Sequence, residues 1–257
     1  AGCVDSVLQT VNVNVAPIAD FEVALGCPGA LTNFTNTSLD PGNSGIEVSY
    51  WVINGIYHYT ENPAVLFTKA GTYTVTLAIT SGSSCKSIIT KNIVIDPLPT
   101  AKFTFDKACL GETVQFTDQS QAIGDDEIVG WSWRFGDFAT SDQQNPAIEF
   151  PEVGSYPVTL TVTSQRGCST ITNQTVNINA LPVAAFVPQN NFGAPPLSVG
   201  FSNNSTGASS YQWWFGDAEN TTSQEAEPTF VYNEVGDYEV KMVATSSGGC
   251  ADTAYAT

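Results

Sequence analysis

Six cysteines and a single histidine are the residues of this 257-residue chain whose types and spacing suit chemistry. Cys3, Cys85, Cys168 and Cys250 recur at offsets of 82, 83 and 82, and Cys27 and Cys109 stand 82 apart. Thiolates can serve as nucleophiles or metal ligands, and thiols can oxidise in pairs. His58 has no second imidazole to join it in a metal site, and no Ser or Cys has a base partner evident nearby. It lies in the alternating run Ile56-Tyr57-His58-Tyr59, which reads as a surface strand. Enzyme activity is therefore not expected, and no catalytic residue is assigned. Oxidation in pairs remains, and a periodic, acidic, Cys-bearing chain suits an oxidising extracellular setting.

The charge balance narrows the partners. Eight Lys+Arg against 25 Asp+Glu give a formal net charge of −17, which repels phosphate backbones and anionic lipid heads. Neither nucleic-acid binding nor direct membrane insertion is expected. Charged residues make up only 13% while 42% are apolar, enough to build ordinary cores. No apolar run approaches the roughly 18 to 20 residues of a membrane span. The start Ala1-Gly2-Cys3 is neither an initiator Met nor a signal peptide, so the chain reads as a piece of something longer.

The cysteine period belongs to a larger repeat. Gly71-Thr72-Tyr73-Thr74-Val75-Thr76-Leu77 returns as Gly154-Ser155-Tyr156-Pro157-Val158-Thr159-Leu160 and as Gly236-Asp237-Tyr238-Glu239-Val240-Lys241-Met242. Pro17-Ile18-Ala19-Asp20-Phe21 returns as Pro99-Thr100-Ala101-Lys102-Phe103 and Pro182-Val183-Ala184-Ala185-Phe186. Three units follow, at 17–97, 98–180 and 181–257, and residues 1–16 read as the last strand of a unit upstream.

Within each unit the dominant period is two, as in Tyr73, Val75, Leu77 and Ile79 or Tyr156, Val158, Leu160 and Val162. That is the pattern of a strand with one buried face. Clusters such as Asp40-Pro41-Gly42-Asn43-Ser44-Gly45 supply turns between the strands. No segment holds a helical period. About seven short strands per unit predict an all-β chain of tandem immunoglobulin-like sandwiches.

The motifs now have a family likeness. Trp133-Arg134-Phe135-Gly136-Asp137, then Asn145-Pro146, then Gly154-Ser155-Tyr156 resembles the PKD domain in order and spacing. The third unit matches with Trp213-Trp214-Phe215-Gly216-Asp217, Glu227-Pro228 and Gly236-Asp237-Tyr238. The first departs, with Trp51-Val52-Ile53-Asn54-Gly55 in place of the motif, but keeps Asn62-Pro63 and Gly71-Thr72-Tyr73. With a Cys after the first strand and another before the last, the array is similar to those of large secreted Bacteroidota proteins. That likeness implies a cell-surface adhesin, including the gliding-motility adhesins of type IX secretion, extracellular and attached at the outer membrane.

The motif residues read as scaffold. Trp51, Trp133 and Trp213, with Phe135 and Phe215, point to one face and fill the space between sheets. The Gly-Asp step is a turn in which Asp137 or Asp217 bonds back to the chain. Some PKD domains bind calcium, but that ion needs six to eight oxygens. Calcium is kept as a candidate cofactor, with no metal ligands assigned. Asp125, Asp126 and Glu127 form the densest carboxylate cluster and read as a solvated loop.

Surface features offer candidate contacts. Trp214 stands on the opposite strand face from Trp213, placed either to meet a surface glycan or protein ligand or to pack against a neighbouring strand. Asp5-Ser6-Val7 and Asp252-Thr253-Ala254 resemble Bacteroidota O-glycosylation sites at Ser6 and Thr253. Asn33-Phe34-Thr35 and Asn220-Thr221-Thr222 are N-glycosylation sequons. The junctions Ile95-Asp96-Pro97-Leu98-Pro99 and Ile178-Asn179-Ala180-Leu181-Pro182 are short and Pro-bearing, predicting stiff connectors and an extended rod whose repeats contact mainly their neighbours.

Three cysteine pairings satisfy the repeat symmetry. Bonding inside units gives Cys27–Cys85 and Cys109–Cys168 and strands Cys250 opposite Phe192. Bonding each late Cys to the next early one gives Cys3–Cys27 and Cys85–Cys109 and strands Cys168. Bonding each early Cys to the late Cys of the following unit gives Cys27–Cys168 and Cys109–Cys250, leaving Cys3 and Cys85 for upstream sequence. In an immunoglobulin-type sandwich the two cysteines of one unit lie at opposite ends, beyond the roughly 7 Å Cα limit. That favours the third scheme, with intra-unit bonding as its rival. The function expected is a non-catalytic stalk stiffened by interdomain disulfides. Its alternative is a spacer or substrate-binding module of a secreted polysaccharide- or protein-degrading enzyme.

Overall fold

A computed structural model describes Gly2 and residues 5–24 and 26–257. Every regular element among them is a strand. The first repeat supplies β1 (Phe21–Val23), β2 (Leu31–Asn36), β3 (Ile46–Ile53), β4 (Ile56–His58), β5 (Ala64–Leu66), β6 (Gly71–Ser81) and β7 (Lys86–Ile95). The second supplies β8 (Phe103–Phe105), β9 (Thr113–Asp118), β10 (Ile128–Phe135), β11 (Ala139–Ser141), β12 (Ala147–Glu149), β13 (Gly154–Ser164) and β14 (Ser169–Ile178). The third supplies β15 (Phe186–Gln189), β16 (Leu197–Asn203), β17 (Ser210–Trp214), β18 (Thr222–Ser223), β19 (Thr229–Tyr232), β20 (Val240–Thr245) and β21 (Ala251–Ala256).

Each set forms a three-stranded and a four-stranded sheet. The orders are β1-β2-β5 with β4-β3-β6-β7, β12-β9-β8 with β11-β10-β13-β14, and β15-β16-β19 with β18-β17-β20-β21. The period-two alternation explains the pairing of faces: along β13, Val158, Leu160 and Val162 are buried, while Ser155 and Pro157 are exposed. Pro157 stands on the outward face, where its missing amide disturbs no core packing.

One aromatic contact recurs in all three repeats. Phe21 meets Trp51 edge-on at 5.2 Å, and Phe103–Trp133 and Phe186–Trp213 repeat it at 5.0 Å. The three Trp side chains are wholly buried and bring Phe135 and Phe215 into the same cores. Burial of such rings is the main stabilising term of each sandwich.

The first repeat's departure from the motif has a local cause. Asn54 and Gly55 both take positive φ, 51° and 78°, and close a two-residue turn between Ile53 and Ile56. Asn-Gly is the pair such a hairpin requires. In the other two repeats the chain instead turns through Gly136 and Gly216, at φ 52° and 74°, into a longer loop.

The residues gather into two compact units. One comprises Ala1–Thr100, Gln121–Val129 and Val162–Thr170, and the other Ala101–Ser120, Gly130–Thr161 and Ile171–Thr257. The first unit therefore holds all seven strands of the first repeat together with two turns of the second. Residues 5–17 pair with no strand, and Val7, Leu8, Val11 and Val13 are exposed.

Candidate functional site: two disulfide-clamped turns

Within the first compact unit Cys27 is bonded to Cys168, with their Cα atoms 5.7 Å apart. Cys27 follows β1 in a turn where its carbonyl accepts from Ala30 N–H and Gly29 N–H donates to Phe67 O. Cys168 closes the β13–β14 turn: Ser164 N–H donates to Cys168 O, and Gly167 N–H donates to Ser164 O. Gly167 holds φ 83° there, a conformation that L side chains seldom adopt. The end of β7 lies beside the bond, since Ile95 bridges Gly26 in parallel and Asp96 N–H donates to Gly26 O at 2.9 Å.

A charge cluster surrounds this disulfide. The Arg166 guanidinium bonds Asp125 at 2.7 Å and reaches Asp96 at 3.4 Å. Arg166 N–H and Glu127 N–H both donate to Asp126, and Gln165 N–H donates to Glu127 O. Burial opposes ionisation of Asp126, but these two N–H groups and the Arg166 charge more than offset it and hold its carboxyl below the ordinary range. Asp125 raises the guanidinium's affinity for its proton above the usual value. The acidic run is only partly the solvated loop its composition indicates: Asp125 and Glu127 are exposed, but Asp126 is buried and Asp125 pairs with Arg166, two residues before Cys168.

The second compact unit repeats the backbone but not the charges. Cys109 is bonded to Cys250, again with 5.7 Å between Cα atoms. Asn179 N–H donates to Ala108 O, Leu110 N–H donates to Asn179 O, and Cys109 bridges Asn179 in parallel. Asn179 takes the place of Asp96 and its amide donates to Ala108 O and Asn177 O. Gly248 takes the place of Arg166, and Cys250 N–H donates to Ser246 Oγ.

Cys85 sits in the same kind of hairpin, with Ser81 N–H donating to Cys85 O. It carries no disulfide among the described residues, and its Sγ lies 3.9 Å from Asn14 O. Cys3, assigned with it to upstream sequence, lies outside the described residues.

The remaining candidates are dispersed. Asp217 accepts from Thr221 N–H at 2.7 Å and from its hydroxyl, bonding back to the chain. Asp137 does not; it turns outward and pairs with Arg134, a side chain the other motifs lack. Trp214 is half-buried, with the Lys241 ammonium 4.6 Å over its ring, a cation–π contact across neighbouring strands. His58 is half-buried opposite Trp51 rather than on an open surface. Ser6 and Thr253 are exposed. Asp252, however, accepts from Ala184 N–H and Thr253 N–H, which hold its carboxyl below the ordinary range and tie the segment leading into β15 to β21. Among the described residues no group of three or more His, Cys, Asp or Glu side chains is placed to hold a metal ion.

A family model described as PKD domain matches residues 96–180 and 179–257. Among curated proteins, the chain is 32% identical over 100 residues to a microbial collagenase of Vibrio alginolyticus, covering 38% of this chain and 12% of that protein. It is 36% identical over 101 residues to the pre-pro-metalloprotease PrtV of Vibrio cholerae, covering 38% of this chain and 10% of that protein. The chain thus spans about an eighth or less of the length of these relatives. Among solved structures, the PKD1 domain of Vibrio cholerae PrtV is 34% identical, with 32% of this chain and 96% of that one covered and a TM-score of 0.30.

Proposed function

The chain belongs to the PKD domain family, and from that premise we propose that it is a non-catalytic, load-bearing stalk segment of a large secreted cell-surface adhesin. The single observation that carries this reading is the pair of disulfides that join successive sequence repeats, Cys27–Cys168 and Cys109–Cys250. Each bond puts a covalent link where a tandem array would otherwise hinge, which is a device for carrying tension rather than for binding or turning over a substrate. Its persistence requires an oxidising, extracellular location. Cys85 continues the series by bonding a repeat upstream, and exposed Ser6 and Thr253 accept O-linked glycan. The finer placement, among Bacteroidota gliding adhesins exported by the type IX system, is part of the proposal and rests on the sequence resemblance alone.

A second reading rests on the relatives, a collagenase and a metalloprotease of Vibrio: a spacer or substrate-contacting module of a secreted degradative enzyme. Two measurements separate them. Single-molecule pulling in oxidising and reducing buffer is expected to release extra length from each clamped segment only after reduction. Identical extension in both buffers overturns the load-bearing role. Retention on collagen or insoluble polysaccharide, lost on substituting Trp214, would favour the enzyme-module reading.

A further inference from the structure

The two clamps share a backbone, but solvent reaches only one of them. Cys109, Cys168 and Cys250 are 1%, 0% and 0% exposed, whereas Cys27 is half-buried. The flanking residues differ in the same sense. Cys109 stands between buried Ala108 and half-buried Leu110, and Cys27 stands between Gly26, which has no side chain, and Pro28. At the second clamp Asn179 also packs so tightly on Gly248 that a β-carbon there would fall 2.2 Å from Asn179 Cγ. At the first, Asp96 takes the place of Asn179 and pairs instead with Arg166, whose side chain is partly exposed. The turn after β1, the end of β7 and the β13–β14 turn that surround Cys27 all belong to the first compact unit.

A disulfide opens when a thiolate attacks one of its sulfurs, and access decides which sulfur is attacked. In the first clamp Cys168 is fully buried, its Sγ 3.7 Å from Asp96 O, so only Cys27 can be approached. We propose that Cys27 is a thiolation site, at which a low-molecular-weight thiol opens the first clamp of the folded chain while the second stays closed. The thiol gives up its proton and its sulfur attacks Cys27 Sγ. The bond to Cys168 breaks, Cys168 leaves with the electron pair and takes a proton from water, and Cys27 carries the thiol as a mixed disulfide. A second thiol displaces Cys27 from that adduct in the same way. Two thiol molecules are thereby oxidised to their disulfide, and the protein bond is reduced to two thiols. The exchange frees the turn after β1 from the β13–β14 turn and leaves Cys109–Cys250 intact. It does not rest on the stalk reading and holds equally for an enzyme module.

Reduction of the folded 257-residue chain tests this. Free thiols are first blocked with iodoacetamide. The chain then meets an excess of 2-mercaptoethanol, which carries no charge for the neighbouring Asp96, Asp125 and Asp126 to repel. New thiols and adducts are mapped over time by N-ethylmaleimide labelling and peptide mass spectrometry. Cys27 and Cys168 are expected to open roughly tenfold or more faster than Cys109 and Cys250, with the first adduct on Cys27. Urea below the unfolding transition should leave that rate unchanged, because the native chain is attacked directly. Equal rates at the two clamps overturn the proposal, as does an adduct that forms first on Cys168. A rate that climbs with urea in that range shows that unfolding exposes the bond, and it overturns the proposal as well.

Discussion

Gly248 lies so close to Asn179 that a β-carbon at 248 would fall 2.2 Å from Asn179 Cγ, while its counterpart Arg166 extends toward Asp96, the counterpart of Asn179. The same backbone clamp is thus closed by close packing at one disulfide and by ion pairing at the other. The two clamps should respond to different perturbations. Gly248→Ala displaces the Asn179 amide from Ala108 O and Asn177 O, and we expect a loss of about 1 kcal/mol that salt does not alter. Arg166→Gln should lower the thermal midpoint of the first unit by an amount that shrinks as salt is added, because Asp125 is largely exposed and Arg166 partly so. Melts of both variants at low and high ionic strength separate the two cases.

Acid should weaken the first clamp through Asp126. Its carboxyl titrates below the ordinary value in the folded chain, so the stability it confers is fully present above the unfolded value of about 3.9. That stability is lost as pH falls through the lower, folded value. Asp126→Asn should flatten this acid limb in urea titrations between neutral pH and strongly acidic pH. An unchanged limb would assign acid sensitivity to other carboxylates.

The alkaline side belongs to Tyr232. Burial, then the nearby Asp217 and Tyr238, push its phenol up to about 12, and its hydroxyl donates to Phe215 O at 2.9 Å. A folded value above the unfolded one, about 10, means stability is intact below that point and declines as pH rises toward 12. Absorbance titration near 295 nm should show one tyrosine ionising last, and Tyr232→Phe should remove it.

The three core tryptophans are not energetically equal. Trp133 Nε1–H donates to Gln143 O and Trp213 Nε1–H to Glu225 O, whereas Trp51 Nε1 is buried without a partner. Replacement by Phe removes similar bulk at each site but orphans a carbonyl only in the second and third repeats. Trp51→Phe should therefore cost about 1 kcal/mol less than Trp133→Phe. Chemical denaturation of the two single variants checks the difference.

The fold is legible because its signals are local: alternation marks each strand, and Trp, Asn-Pro and Gly-x-Tyr mark their order in every repeat. Asn54-Gly55 announces its own hairpin in the same way. The 82-residue spacing narrows the cysteine pairing to three schemes, and strand direction alone favours the one that carries Cys27–Cys168. Arg166 is different. Its contacts with Asp96 and Asp125 join residues 70 and 41 positions away, and no periodicity predicts where a long side chain reaches. The only sequence-level hint is an arginine in the place where the third repeat has Gly248. The burial of Asp126 and the Lys241 contact with Trp214 are hidden for the same reason, since each depends on tertiary proximity between side chains that no repeat shares.

Removing a clamp should show its thermodynamic weight. Each bond closes a separation of 141 residues, and restricting the unfolded chain over such a loop is worth about 3–5 kcal/mol. Cys27→Ser with Cys168→Ser should lower the unfolding free energy of the first unit by that order and leave the aromatic cores able to fold. Calorimetry of the double variant against the parent measures it.

The two bonds also overlap along the chain, because Cys109 falls inside the segment closed by Cys27–Cys168 and Cys168 inside that closed by Cys109–Cys250. A single proteolytic nick anywhere between Cys27 and Cys250 therefore leaves both cut ends covalently held. In a protease-rich environment the molecule can be cleaved in any one of its surface loops and still shed nothing from that span.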